Sequence, residues 1–110
     1  MLLKRDETIL RKVLEEITYL ETTMSGLTHE TFVENEDKKR VAAMTLINMG
    51  ELVKNLSVDF VQSAKDFPLK EIRGLRHMAA HEYYAMRFED IWDTIQNEIP
   101  ELKEQINGFL

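Results

Sequence analysis

The sequence contains no cysteine. That removes a disulfide framework, a thiolate metal site and a thiol nucleophile together, and it fits a reducing cytosol. Only 4 glycines and 2 prolines occur in 110 residues, which disfavours a turn-rich β fold and favours long helices. Long apolar runs are missing too. The longest candidate, Val41 to Gly50, is interrupted by Thr45 and Asn48 and is too short to span a bilayer. Charge returns at Lys4, so the start lacks the apolar core of a signal peptide. These absences predict a cytoplasmic protein with no membrane partner. The length suits a single domain over residues 1–110, with one modest core.

The net charge of −6 argues against a general basic field for coating nucleic acid. The charge is unevenly spread. Between Lys70 and Arg87 the basic residues are Lys70, Arg73, Arg76 and Arg87, and the acids are Glu71 and Glu82. That window carries +2, which leaves −8 for the rest of a chain whose total is −6. His77 and His81 lie in the same window. One local basic segment on an acidic body suits a small anion site better than a long nucleic-acid track.

Apolar spacing predicts helices throughout. The first runs from Leu2 to about Thr22, with Leu3, Ile9, Leu10, Val13, Leu14, Ile17 and Leu20 on one side. Met24-Ser25-Gly26 breaks it. Thr28 can cap a short helix through Phe32 and Val33. The charged stretch Glu34 to Arg40 leads into a second long helix, whose apolar face is Val41, Met44, Leu46, Ile47, Leu52, Val53 and Leu56. Gly50 sits inside it and can permit a close helix approach, a subunit interface being one place for it. Ser57 to Lys65 can extend that helix or turn. Pro68 suits the first turn of a third helix, over Leu69 to Tyr83. Arg87-Phe88 marks another break. A last helix carries Ile91, Trp92, Ile95, Ile99, Leu102 and Ile106, bent or divided at Pro100. Four main helices plus a short one, without strands, predict an all-α antiparallel helical bundle.

The third helix concentrates chemistry in Glu71-Ile-Arg-Gly-Leu-Arg-His-Met-Ala-Ala-His-Glu-Tyr-Tyr. At about 100° per residue, Ile72, Leu75, Ala79 and Met86 form a core stripe. Arg73, His77, His81 and Tyr84 gather on another side, and Arg76 and Tyr83 are nearly in line. Arg76 and His81 lie about 140° apart around the axis. They are therefore poorly placed to converge within one chain, and a two-fold homodimer with the site in its cleft is predicted. The residue types suit cleavage of RNA without a metal. His81 can move a proton near neutral pH. Arg76 can hold phosphate oxygens with its fork. Tyr83 can bond phosphate or stack on a base. His77 can be a second proton-transfer group or hold a phosphate, and with Arg73 it can support RNA binding. Two histidines at i and i+4 lack a third ligand to complete a metal set, and no cofactor fingerprint, glycine-rich phosphate loop or hydrolase elbow is present.

The run Arg76-His77-Met-Ala-Ala-His81-Glu82-Tyr83 resembles the Arg-x4-His-x-Tyr motif of HepT-like proteins in the HEPN superfamily. Ile47-Asn-Met-Gly50-Glu51-Leu is similar to the family's hydrophobic-x-x-Gly-Glu segment. Phe67-Pro68-Leu-Lys-Glu-Ile-Arg-Gly-Leu-Arg76 resembles its approach to the motif arginine. Phe32, Asp90-Ile-Trp92 and Glu98-Ile-Pro100-Glu-Leu102 extend the likeness from about residue 5 to residue 106. His77 stands where the family often has asparagine, and Leu69 where a tryptophan is common. The resemblance implies an all-α dimer acting as a metal-independent endoribonuclease toxin of a type VII-like toxin–antitoxin pair, with Arg76 and His81 as its catalytic pair. It also implies a minimal nucleotidyltransferase antitoxin that transfers AMP to Tyr83. Two other readings stand beside it: a non-catalytic helical adaptor that binds a nucleotidyltransferase or its nucleotide, and a dimeric bundle with no chemistry.

Overall fold

The computed structural model describes residues 2–110; position 1, where the expected domain begins, lies outside the described residues. The described residues form helices and turns and no strand. Helix α1 spans Lys4–Met24, two residues later at each end than its apolar pattern suggests. Ile9, Leu10, Val13, Ile17, Leu20 and Met24 recur at helical spacing and are all buried. Gly26 ends the segment at φ +82°, a left-handed backbone that glycine adopts without a Cβ clash.

The short α2, His29–Val33, opens on a reciprocal cap. The Thr31 N–H donates to Thr28 Oγ1 at 3.2 Å, and the Thr28 N–H donates to Thr31 Oγ1 at 2.8 Å. Phe32 is fully buried, with its ring 5.1 Å from that of Trp92. Helix α3, Glu36–Leu52, is capped by Asn35, whose Oδ1 accepts from the Lys38 N–H at 3.0 Å. The charged stretch therefore belongs to its first turns instead of preceding them. Val53 and Leu56 lie beyond its end, at and after a 3-10 turn, Val53–Asn55. Met44, expected on the apolar face, is exposed.

Residues after Ser57 form a further short helix, α4, Val58–Ser63. Its cap reaches back to α1. Buried Asp6 accepts from the Ser57 N–H at 2.8 Å and from the Ser57 hydroxyl at 2.7 Å, and Ser57 Oγ accepts from the Phe60 N–H at 3.1 Å. A buried carboxylate is tolerated where donors satisfy it in this way.

Helix α5 spans Leu69–Tyr84, with Pro68 at its cap position, one residue before the first turn. The last helical run opens as α6, Phe88–Asp93, passes through a wide π turn, Thr94–Glu98, and ends as α7, Ile99–Asn107. Pro100, where the run was expected to bend or divide, stands at the second residue of α7, just after the π turn. The Ile99 N–H donates to the Thr94 carbonyl, five residues back, and this wider turn accommodates a ring that an α-helical interior would reject.

Contacts at opposite ends fix the packing. Arg5 Nε donates to the Asn55 carbonyl and Asn48 Nδ2 to Glu16, so α1 and α3 are antiparallel. Arg40 meets Tyr83 while Glu51 meets Arg76, so α3 and α5 are antiparallel. Lys103 meets Glu21 on α1, while Phe109 lines one cleft with Leu2 and Leu3. The result is an all-α antiparallel bundle of α1, α3, α5 and the α6–α7 run, with two short helices at its ends. Leu10, Ile17, Leu46, Met49, Ile72, Ile91, Ile99 and Ile106 fill its centre. No described helix is long and apolar enough to cross a membrane.

Candidate functional site

Helix α5 is buried along Ile72, Leu75, Ala79 and Glu82. Three apolar residues of the expected stripe are in place, but its fourth member is not. Continuing 72, 75 and 79 by one more helical step reaches 82, and the helix ends before Met86 can join. Met86 is 73% exposed, and Tyr84, which could have buried its ring, is 84% exposed.

Arg76 lies against α3 at Gly50. A Cβ on Gly50 would stand 2.8 Å from Arg76 Cβ and 3.2 Å from the Ile72 carbonyl oxygen. The absent side chain lets the two helices approach at the backbone, within the chain and not across a subunit boundary. The next residue, Glu51, pairs through Oε1 with Arg76 Nε and through Oε2 with Lys54 Nζ, the latter at 3.3 Å. This pair is half exposed and contributes little to stability. Its consequence is orientation, because the Nε edge of the guanidinium is held by Glu51.

Tyr83 lies further along the same seam. Its hydroxyl accepts from Arg40 Nε at 3.2 Å, and its ring meets Phe88 edge-on at 5.6 Å. Phe88 also lies 4.0 Å beneath the ammonium of buried Lys39, which pairs with Glu36 at 2.8 Å. Arg73 is exposed and lines a shallow groove with Val58, Val61 and Leu69.

The histidines occupy another face. The His77 and His81 rings stack at 6.1 Å with an interplanar angle of 22°. His81 Nδ1 is 2.8 Å from Oε1 of Glu82, which is 9% exposed. Glu82 Oε2 is buried and has no hydrogen-bond partner among the described residues. Asp90 and Arg87 converge on this carboxyl from the start of α6, with Arg87 Nη1 at 3.9 Å from Oε1. The neighbouring Asp90 side chain first, and then the contact with His81, hold the Glu82 carboxyl below its usual range. The proximity of Glu82, aided by burial, raises Asp90.

The structure therefore joins Arg76 to Glu51, Tyr83 to Arg40, and His77 and His81 to each other. Among the described residues Arg76 and His81 share no hydrogen bond or ion pair, as their angular separation requires. The reading of the sequence overlooked Glu82, Asp90 and Arg40. For Glu82 a signal existed: a carboxylate on the core stripe, adjacent to a histidine, needs a partner.

With this geometry in view, residues 13–108 match the family described as Ribonuclease HepT-like. The chain belongs to that family. It is 35% identical to a protein named "Putative RNase" from Caldanaerobacter subterraneus subsp. tengcongensis, over 98% of this chain and 96% of the relative. A protein of the same style of name from Methanocaldococcus jannaschii is 29% identical, over 97% and 89%. A protein named "Probable ribonuclease HepT" from Thermococcus cleftensis is 26% identical, over 86% of each. No solved structure matches significantly.

Proposed function

We propose that this HepT-like protein is a metal-independent endoribonuclease that works as a two-fold homodimer, with residues 1–110 as one HEPN domain and the site in the dimer cleft. The observation that carries this reading is the Arg-x4-His-x-Tyr run on α5, with both Arg76 and His81 half exposed, in a chain of the ribonuclease HepT-like family. His81 takes the proton of a ribose 2′-OH. The 2′-oxygen forms its bond to phosphorus while the bond to the 5′-oxygen breaks, and an imidazolium returns a proton to that leaving oxygen. Arg76 holds the phosphate oxygens as charge builds on them. The products are a 2′,3′-cyclic phosphate and a 5′-hydroxyl. His77 and Arg73 bind RNA near these groups.

The proposal extends to control. Tyr83 is the AMP acceptor for a cognate minimal nucleotidyltransferase, in a toxin–antitoxin pair of the cytoplasm. Among the described residues its hydroxyl has one hydrogen bond, from Arg40, and Arg40 would lie beside the phosphate of the modified residue.

The test is RNA cleavage by purified protein in chelator, with end mapping. Arg76→Ala and His81→Ala should each lower kcat/KM by about 10²–10⁴-fold, with cyclic-phosphate ends only from the wild type. Equal behaviour of all three proteins would reject the enzyme and favour the adaptor.

A further inference from the structure

Glu82 is the one acidic side chain of α5 that is buried. It faces inward on the stripe of Ile72, Leu75 and Ala79, where an apolar residue would pack without cost. Its carboxylate contacts His81 at 2.8 Å and has Arg87 at 3.9 Å. A carboxylate only accepts hydrogen bonds. The proton of the neutral imidazole must therefore sit on Nδ1, and Nε2 is left as its basic nitrogen.

The backbone builds this arrangement. At the end of α5 the Arg87 N–H donates to the Glu82 carbonyl at 2.8 Å, and the Met86 N–H donates to the Tyr83 carbonyl at 3.1 Å. This paired closure turns the chain back sharply through Met86, at φ +61°. The turn brings Arg87 and Asp90 over the Glu82 side chain. Burial on one side, a histidine on another and an ionic lid on the third hold the carboxylate in a single position.

We propose that Glu82 is the positioning residue for His81: it fixes the tautomer with Nε2 free, aims the ring, and stabilises the imidazolium formed when Nε2 takes a proton. This rests on the reading of His81 as the proton-transfer group. Asp90 and Arg87 act through Glu82 and not on the substrate. The lowered Glu82 carboxyl agrees with an anion kept ready for an imidazolium.

The test uses Glu82→Leu and Glu82→Gln. Leucine suits the buried position, so that variant should fold and melt at or above the wild-type temperature. Its kcat for RNA should nevertheless fall by about 10²–10⁴-fold with KM within about threefold. Glutamine keeps an acceptor for Nδ1 but no charge, so its kcat should lie between the two. Ring-nitrogen NMR supplies a readout that does not depend on cleavage. In the wild type the neutral His81 should carry its proton on Nδ1, and in Glu82→Leu that preference should be lost. A Glu82→Leu protein with wild-type kcat, or a wild-type ring protonated on Nε2, overturns the proposal. If the wild type cleaves no RNA, the functional reading falls by itself. The NMR comparison then decides the role of Glu82: loss of the Nδ1 proton in Glu82→Leu supports it, and retention overturns it.

Discussion

Two carboxylates organise the two candidate side chains: Glu51 holds one edge of Arg76, and Glu82 holds one nitrogen of His81. They differ in burial and hence in what they do. Glu51 is exposed enough that its ion pair is screened, whereas Glu82 is buried, with Oε1 against His81 and Arg87 and Oε2 without a hydrogen bond among the described residues. The Glu82–Asp90 contact has a pH dependence whose sign can be worked out. Glu82 is lowered from 4.5, so its contribution to stability is present above that value and is lost as pH falls through its folded pKa. Asp90 is raised from 3.8, so its contribution is fully present below 3.8 and is lost as pH rises through its folded pKa. His81, Arg87 and Glu89 are the other charged groups that face this pair. Asp90→Asn keeps a donor for Glu82 at every pH and removes the like charge. Urea midpoints should therefore be higher for Asp90→Asn than for wild type at pH 7, and the gap should close as the pH is lowered towards 3.8.

At the scale of elements, the end of α5 is where local preference and tertiary need conflict. Its closure calls for a left-handed residue, and glycine is the usual occupant. Met86 occupies it instead, at φ +61° and with its side chain exposed. Met86→Gly should relieve that backbone and stabilise the protein by about 0.5–1 kcal/mol, net of the extra freedom glycine gives the unfolded chain. A thermal melt should register this as a rise of about 2–8 °C. A fall in melting temperature would mean that the Met86 side chain contributes packing elsewhere. The π turn before Pro100 is a second local departure. There the helix widens, and Ile95 within the turn and Ile99 just after it stay buried.

For the whole molecule, the disposition of α5 has one large consequence. Arg76 and Tyr83 face α3, and His81 faces away from them, so a cleft combining Arg76 with His81 requires two chains under the proposed function. Such a dimer holds two sites, each with Arg76 from one chain and His81 from the other. Mixing inactive Arg76→Ala and His81→Ala proteins would then rebuild one intact site in each mixed dimer. After complete subunit exchange the mixture should recover about a quarter of wild-type activity. No recovery from a mixture shown to exchange subunits would assign both residues to the same chain.

The all-α class, the antiparallel bundle and the placement of Arg76, His77, His81 and Tyr83 on one helix follow from the sequence alone. Apolar side chains at helical spacing have one way to leave water, and the angle between residues on a helix is a constant of its geometry. The breaks near Gly26 and Thr28 were legible, because those residues carry their turn or cap preference in their own chemistry, whereas the start of α3 at Asn35 was not read. The surroundings of each site residue were not legible. Gly50 against Arg76, Arg40 against Tyr83, and Asp90 and Arg87 against Glu82 join side chains whose encounter depends on how far helices slide and where the chain reverses. Those quantities are set by the packing of the whole core. The place of Glu82 on the core stripe beside His81 is readable from spacing, but the tertiary structure alone set Arg87 against its carboxylate, because where the chain reverses is a property of the assembled bundle.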